Sequence, residues 1–246
     1  MTSAFNCVVG AGLAAVIASA ASANLTTTYL GTGYGKFQSV SYNPSTQWDQ
    51  AGSGPFYSVK AFDHNWQDVG TGATWTGWCI QLYQGITVGN QYTFNCVDLE
   101  LAPQAPPAPG PMGTLQANLM RDLFSRWIDT NTGTVAVEGT LAATNAKAAA
   151  FAIAIWEITH ENFTGGDLNT IKSQMSLANG AHRANLSADV AGWYAQIFAS
   201  LGSGGWQTTF VEGLVNSVAQ DQARIPAPGA IALLGLAGLM GRRRRM

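Results

Sequence analysis

The stretch "AAAFAIAIWEI" at Ala148 to Ile158 constrains the fold more than any other part of the chain, because it is apolar on every side of a helix. A helix with no polar stripe has to be enclosed by the rest of the molecule. The spacing predicts a central buried helix over about 144–160, and the remaining elements must supply its cover.

N-terminal to that helix the pattern is different. From Thr26 to about Leu101, "GKFQSVSYNPSTQW", "FYSVKAF", "TGWCIQLYQ" and "QYTFNCVDLELAP" are short β-favouring runs punctuated by Gly, Asn, Ser and Pro. Such runs read as antiparallel strands. "APQAPPAPGP" at 102–111 holds five prolines, which can neither donate to a ladder nor continue a helix, so it reads as a loop. Beyond it, Leu115, Leu119, Leu123 and Trp127 recur at helical spacing behind Thr114, a potential cap. Further helices are expected over Asp167 to Ala178, Ser187 to Leu201 and Phe210 to Asp221. The fold class expected is α+β, one domain over 24–224 with a β-rich half followed by a helical half.

The ends read as processed segments. Residues 1–23 carry no charged side chain and close on Ala21-Ser22-Ala23, the small-x-small pattern of a cleaved signal peptide. The alternative is a mildly apolar first helix. At the other end Ile225 to Gly241 is seventeen residues, a marginal membrane span against the ~20 usually needed, and Arg242, Arg243, Arg244 and Arg245 follow it. Those arginines would hold that end on the cytoplasmic side. The chain has 12 Lys and Arg against 14 Asp and Glu, and with four of the basic residues in this terminal cluster the body is left acidic. A body of that sign has no electrostatic footprint for a nucleic acid.

Pro226-Ala227-Pro228, the apolar run and the arginine cluster together resemble the PEP-CTERM sorting signal, with Ala227 where the name-giving motif has Glu. The resemblance implies export through the Sec translocon, removal of the leader by signal peptidase, and transient anchoring in the inner membrane. Cutting by an exosortase, a membrane-embedded transpeptidase, and delivery to the cell surface, envelope or exopolysaccharide would follow. A plain tail anchor is the alternative reading of the same residues.

Within the body, Cys79 and Cys96 flank an expected hairpin. If Gly85 to Asn90 is its loop the two face each other and can form a disulfide; if Gly89-Asn90 is a tight turn, Cys79 slides opposite Glu100 and they cannot. "WCIQL" at Trp78 to Leu82 and "AAAFAIAIWEI" also resemble paired patterns of PEP-CTERM proteins and the thioester domains of bacterial adhesins, in a similarity that runs on to "LVNSVAQD" at Leu214 to Asp221. In those domains a strand Cys captures a helix Gln; here Ala152 stands where the pattern has Gln, so the resemblance implies a related scaffold without the thioester. Trp66, Trp75 and Trp78, three of eight tryptophans, lie within one strand-rich stretch and could form a glycan-stacking face or pack in the core. "HENFT" at His160 to Thr164 lacks the second His of a zinc motif, and Glu157, His160 and Glu161 read as a structural cluster at the helix end. His64 and His182 are isolated in the sequence. No cofactor, metal site or catalytic residue is expected. The reading is a non-catalytic surface or matrix protein, with a covalent adhesin using Cys79, or a carbohydrate-binding module or hydrolase, as alternatives.

Overall fold

A computed structural model describes residues 24–42, 55–106, 109–161 and 163–226. The expected signal segment, Ala227, Pro228 and the four terminal arginines lie outside the described residues.

Four strands form where the β-favouring runs stand: β1 (Asn24–Tyr42), β2 (Tyr57–Asp68), β3 (Thr74–Cys79) and β4 (Gln91–Asp98). The helices follow as α1 (Gly113–Trp127), α2 (Leu141–His160), α3 (Leu168–Gln174) and α4 (Ala188–Ser200), and three short strands, β5 (His182–Asn185), β6 (Glu212–Val215) and β7 (Gln222–Arg224), are interleaved with or follow them. The fold is α+β. Phe210 to Asp221, expected as a helix, instead supplies β6 and the turn to β7. The turn is set by Asn216, whose side-chain oxygen accepts the Val218 and Ala219 N–H groups while Asp221 accepts the Asn216 N–H. An Asx turn of this kind competes directly with helix formation.

All strand pairings are antiparallel, in the order β2-β3-β7-β6-β4-β1-β5, and β2 also pairs with β1. Six strands thus close into a small barrel, with β5 laid against the far end of β1. β1 can serve both ends of the ring because its register shifts twice, between Tyr29 and Gly31 and between Thr32 and Gly35. At Gly35, with φ +154°, a Cβ would stand 2.3 Å from the Ala61 carbonyl oxygen, so no larger residue fits that bend.

Period-two alternation then sorts the side chains. Tyr29, Trp66, Phe94 and Leu214 point into the lumen and form their own cluster, with Leu25, Trp75, Tyr92 and Cys96 around it. The opposite face of the sheet meets α2. Every residue from Ala146 to His160 is buried, and Phe151 is packed edge-on between Trp78 of the barrel wall and Phe124 of α1, at 4.6 and 5.2 Å between ring centres. α2 is long and apolar enough to cross a membrane, but its apolar surface is spent on this core, as its lack of a polar face requires.

Candidate functional site

The residues brought together at one end of the lumen come from distant parts of the chain. Cys79 ends β3 and stands directly opposite Gln222 of β7, so their side chains share the inner face. The Gln222 side chain reaches over Gly77 to His64 on β2, with Oε1 3.0 Å from the imidazole Nδ1. Gly77 is required for that crossing: a Cβ there would lie 3.2 Å from Gln222 Oε1 and 2.8 Å from the Trp75 ring. Gln222 Nε2 donates to the Gln220 carbonyl at 3.1 Å, which leaves its oxygen for His64 and makes Nδ1 the protonated nitrogen. Burial lowers the His64 pKa to about 4, so the ring is neutral at physiological pH. The other end of the lumen is closed by Arg224, paired to Glu212 at 2.5 Å and lying over the Trp75 ring at 4.5 Å.

Cys79 is buried, its thiol donates to the Gln81 carbonyl at 2.9 Å, and its own carbonyl accepts the Trp156 indole N–H at 3.0 Å. Burial pushes the thiol up to about 12. It is therefore protonated and a poor nucleophile. The loops beside it are tied by the buried Asp221, whose carboxylate accepts the Gln104 and Asn216 N–H groups at 2.6 and 2.7 Å. "LVNSVAQD" is thus a tether of the barrel end.

The structure decides between alternatives that the sequence left open at the cysteines and the tryptophans. Cys79 and Cys96 do not form a disulfide: both are free, and β7 and β6 stand between β3 and β4. Three strand spacings of ~4.8 Å exceed the reach of a bridge, whose Cα atoms lie within about 7 Å. Nor do Trp66, Trp75 and Trp78 form a stacking face. Trp66 fills the lumen, stacked on Trp75 at 5.5 Å; Trp75 carries Arg224 on its ring; and Trp78 points the other way, into the α2 core, donating to the Gly133 carbonyl. Alternation on β3 sends Trp75 and Trp78 to opposite faces, which the sequence spacing already required.

A second polar cluster surrounds the C-terminal turn of α2. Glu157 Oε2 pairs with His182 Nδ1 at 3.0 Å and Oε1 accepts the Ser176 N–H, while Glu161 accepts the His182 N–H at 2.8 Å. Burial and the neighbouring Glu157 raise Glu161 to about 7. The two carboxylates fasten the segment between α3 and β5 to the helix end. His160 lies beside His182, with ring centres 6.3 Å apart. His182, 25 positions from Glu157, has no signal in the sequence that links it to the helix. Among the described residues no three His, Cys, Asp or Glu side chains are placed to hold a metal ion.

No family model, curated protein or solved structure matches the chain.

Proposed function

We propose that the chain is an exported, non-catalytic protein of the cell surface or extracellular matrix, sorted through its C-terminal segment. The observation that carries this reading is the three-part order of Pro226-Ala227-Pro228, an apolar run and Arg242 to Arg245, set immediately after the strand that closes the barrel. β1 begins at Asn24 and β7 ends at Arg224, so both expected cuts would spare every strand. The protonated, enclosed Cys79 and the alanine at position 152 support a body without covalent chemistry. The test is mass spectrometry of the mature chain from a Gram-negative host with an exosortase and from the same host without it. Loss of Arg242 to Arg245 only in the first host is expected; a mature chain that keeps them there would sink the sorting reading.

One observation favours the covalent-adhesin reading as a second choice. Gln222 shares an inner face with Cys79, and His64 donates to its carboxamide oxygen, which polarises the carbonyl. Attack by sulfur would form the C–S bond, break the C–N bond and release ammonia that carries the thiol proton. Intact mass decides: the unmodified mass is expected, and a deficit of one ammonia that vanishes in Gln222→Ala would reverse the choice.

A further inference from the structure

The lumen opens, beside the His64 end, into a cavity of about 320 Å³ between the barrel, α2 and the β3–β4 connection. Ligand sites in barrel proteins sit at such mouths, and ~300 Å³ is the lower end of ligand-pocket size, which suits a single pyranose-sized ring. Its accessible apolar walls are Leu82, Ile86 and Val88, the buried Tyr29 and Trp156 reach it only at their edges, and Lys60 and His64 also line it, while no carboxylate does.

The two ionisable side chains have complementary vacancies. His64 has its Nδ1–H committed to Gln222, so the remaining ring nitrogen carries a lone pair and can only accept a hydrogen bond. Lys60 is exceptional in its company. Among the described residues Lys36, Arg121, Arg126, Lys147 and Arg224 are paired with carboxylates, and Lys172 and Arg183 donate to oxygens. Among the described residues Lys60 meets only the face of Phe37, 6.0 Å from its ammonium. It lowers the basicity of His64 through space, which places its charge within reach of the same cavity.

We propose that the mouth of the barrel binds a hydroxylated carboxylate of single-sugar size, of the hexuronic acid class, with its carboxylate on Lys60, a hydroxyl donating to the free nitrogen of His64, and its apolar face on Leu82, Ile86 and Val88. An ammonium-bearing ligand finds no carboxylate in this lining, and a purely apolar one leaves both polar groups unanswered. The inference deepens the surface-protein reading by naming what the body holds, and it does not depend on where the chain is cut.

The test is calorimetric titration of the full chain, purified in mild detergent, with sodium glucuronate, with glucose and with cyclohexanecarboxylate, accompanied by NMR of the Trp156 indole N–H. Glucuronate is expected to bind about tenfold more tightly than either control, and Lys60→Met to remove its advantage over glucose. Val88→Trp, placed at an exposed position on the rim, should block binding without touching the core. Absence of saturable glucuronate binding, equal binding of glucose, or wild-type binding by both variants would overturn the proposal. None of these outcomes bears on whether the C-terminal arginines are removed, so the two readings fail separately.

Discussion

The centre of the barrel lumen around Trp66 and the slab between barrel and helices are both buried, yet they are built from opposite materials. The lumen is a few large rings: Trp66 stacks on Trp75, meets Phe94 edge-on at 5.3 Å and leans on Tyr29 at 4.8 Å. The slab is many small side chains, with Ala146, Ala148, Ala149, Ala150, Ala152 and Ala154 letting α2 sit close to its neighbours. The difference teaches where each is vulnerable. A lumen of few pieces is harmed by removing one, and a slab of many small pieces is harmed by enlarging one.

The largest effect should come from Trp66→Ala, which empties the middle of the lumen. It is expected to destabilise the chain by about 3–5 kcal/mol in urea unfolding; a loss below about 1 kcal/mol would mean that the barrel interior is not a packed core. Ala150→Leu forces extra methylenes between α2 and its cover, and a cost of about 1–3 kcal/mol is expected. Were it neutral, the contrast between the two regions would collapse.

Asp63 sharpens the comparison from the seam, since it lies on the slab side of β2, opposite Trp78, and is buried against the backbone N–H groups of Gly33 and Tyr34. Burial raises it to about 7, as it does Asp221 and, with the help of Glu157, Glu161. Such a carboxyl keeps its proton in the folded chain between about pH 4 and pH 7 while the unfolded chain has lost it. The folded state then binds more protons, so stability falls as pH rises through that window and levels off above it. Asp63→Asn should flatten part of this slope and raise the melting temperature at pH 8 but not at pH 4. An unchanged slope would place the titration elsewhere.

The smallest effect is expected at the cysteines. Cys96→Ser should change stability by less than about 0.5 kcal/mol, and the oxidised wild type should show no loss of two hydrogens. A bridge between Cys79 and Cys96 would require β3 and β4 to be neighbours and would break the barrel order itself.

Local chemistry carried much of the fold in the sequence, and long-range pairing carried the rest. The four strand runs, the buried α2 and α4 were legible because alternation and helical periodicity act within a few positions, although the Ser187 hydroxyl before α4 donates to Asp189 and caps no backbone N–H. Thr114 was read as a cap but instead donates to Glu100, a partner fourteen positions away. β6 was misread because closure of the ring, a tertiary effect, overrode the helical tendency of 210–221. The candidate site divides the same way. Cys79 stood out from its motif, but its neighbours His64 and Gln222 are 158 positions apart and meet only because β7 is inserted between β3 and β6. The isolation of Lys60 from carboxylates could not be read at all before the partners of the other basic residues were known.

The place of β7 also orders events in time. The strand written last in the body fills the gap between β3, written early, and β6, so the ring stays open until residues 222–224 are available. Contacts of such sequence separation form slowly, because the loops they close must be ordered first. A chain that is threaded through a narrow channel from its N-terminus would keep its barrel unfinished for the whole passage, and would lock only once nearly all of the body had emerged.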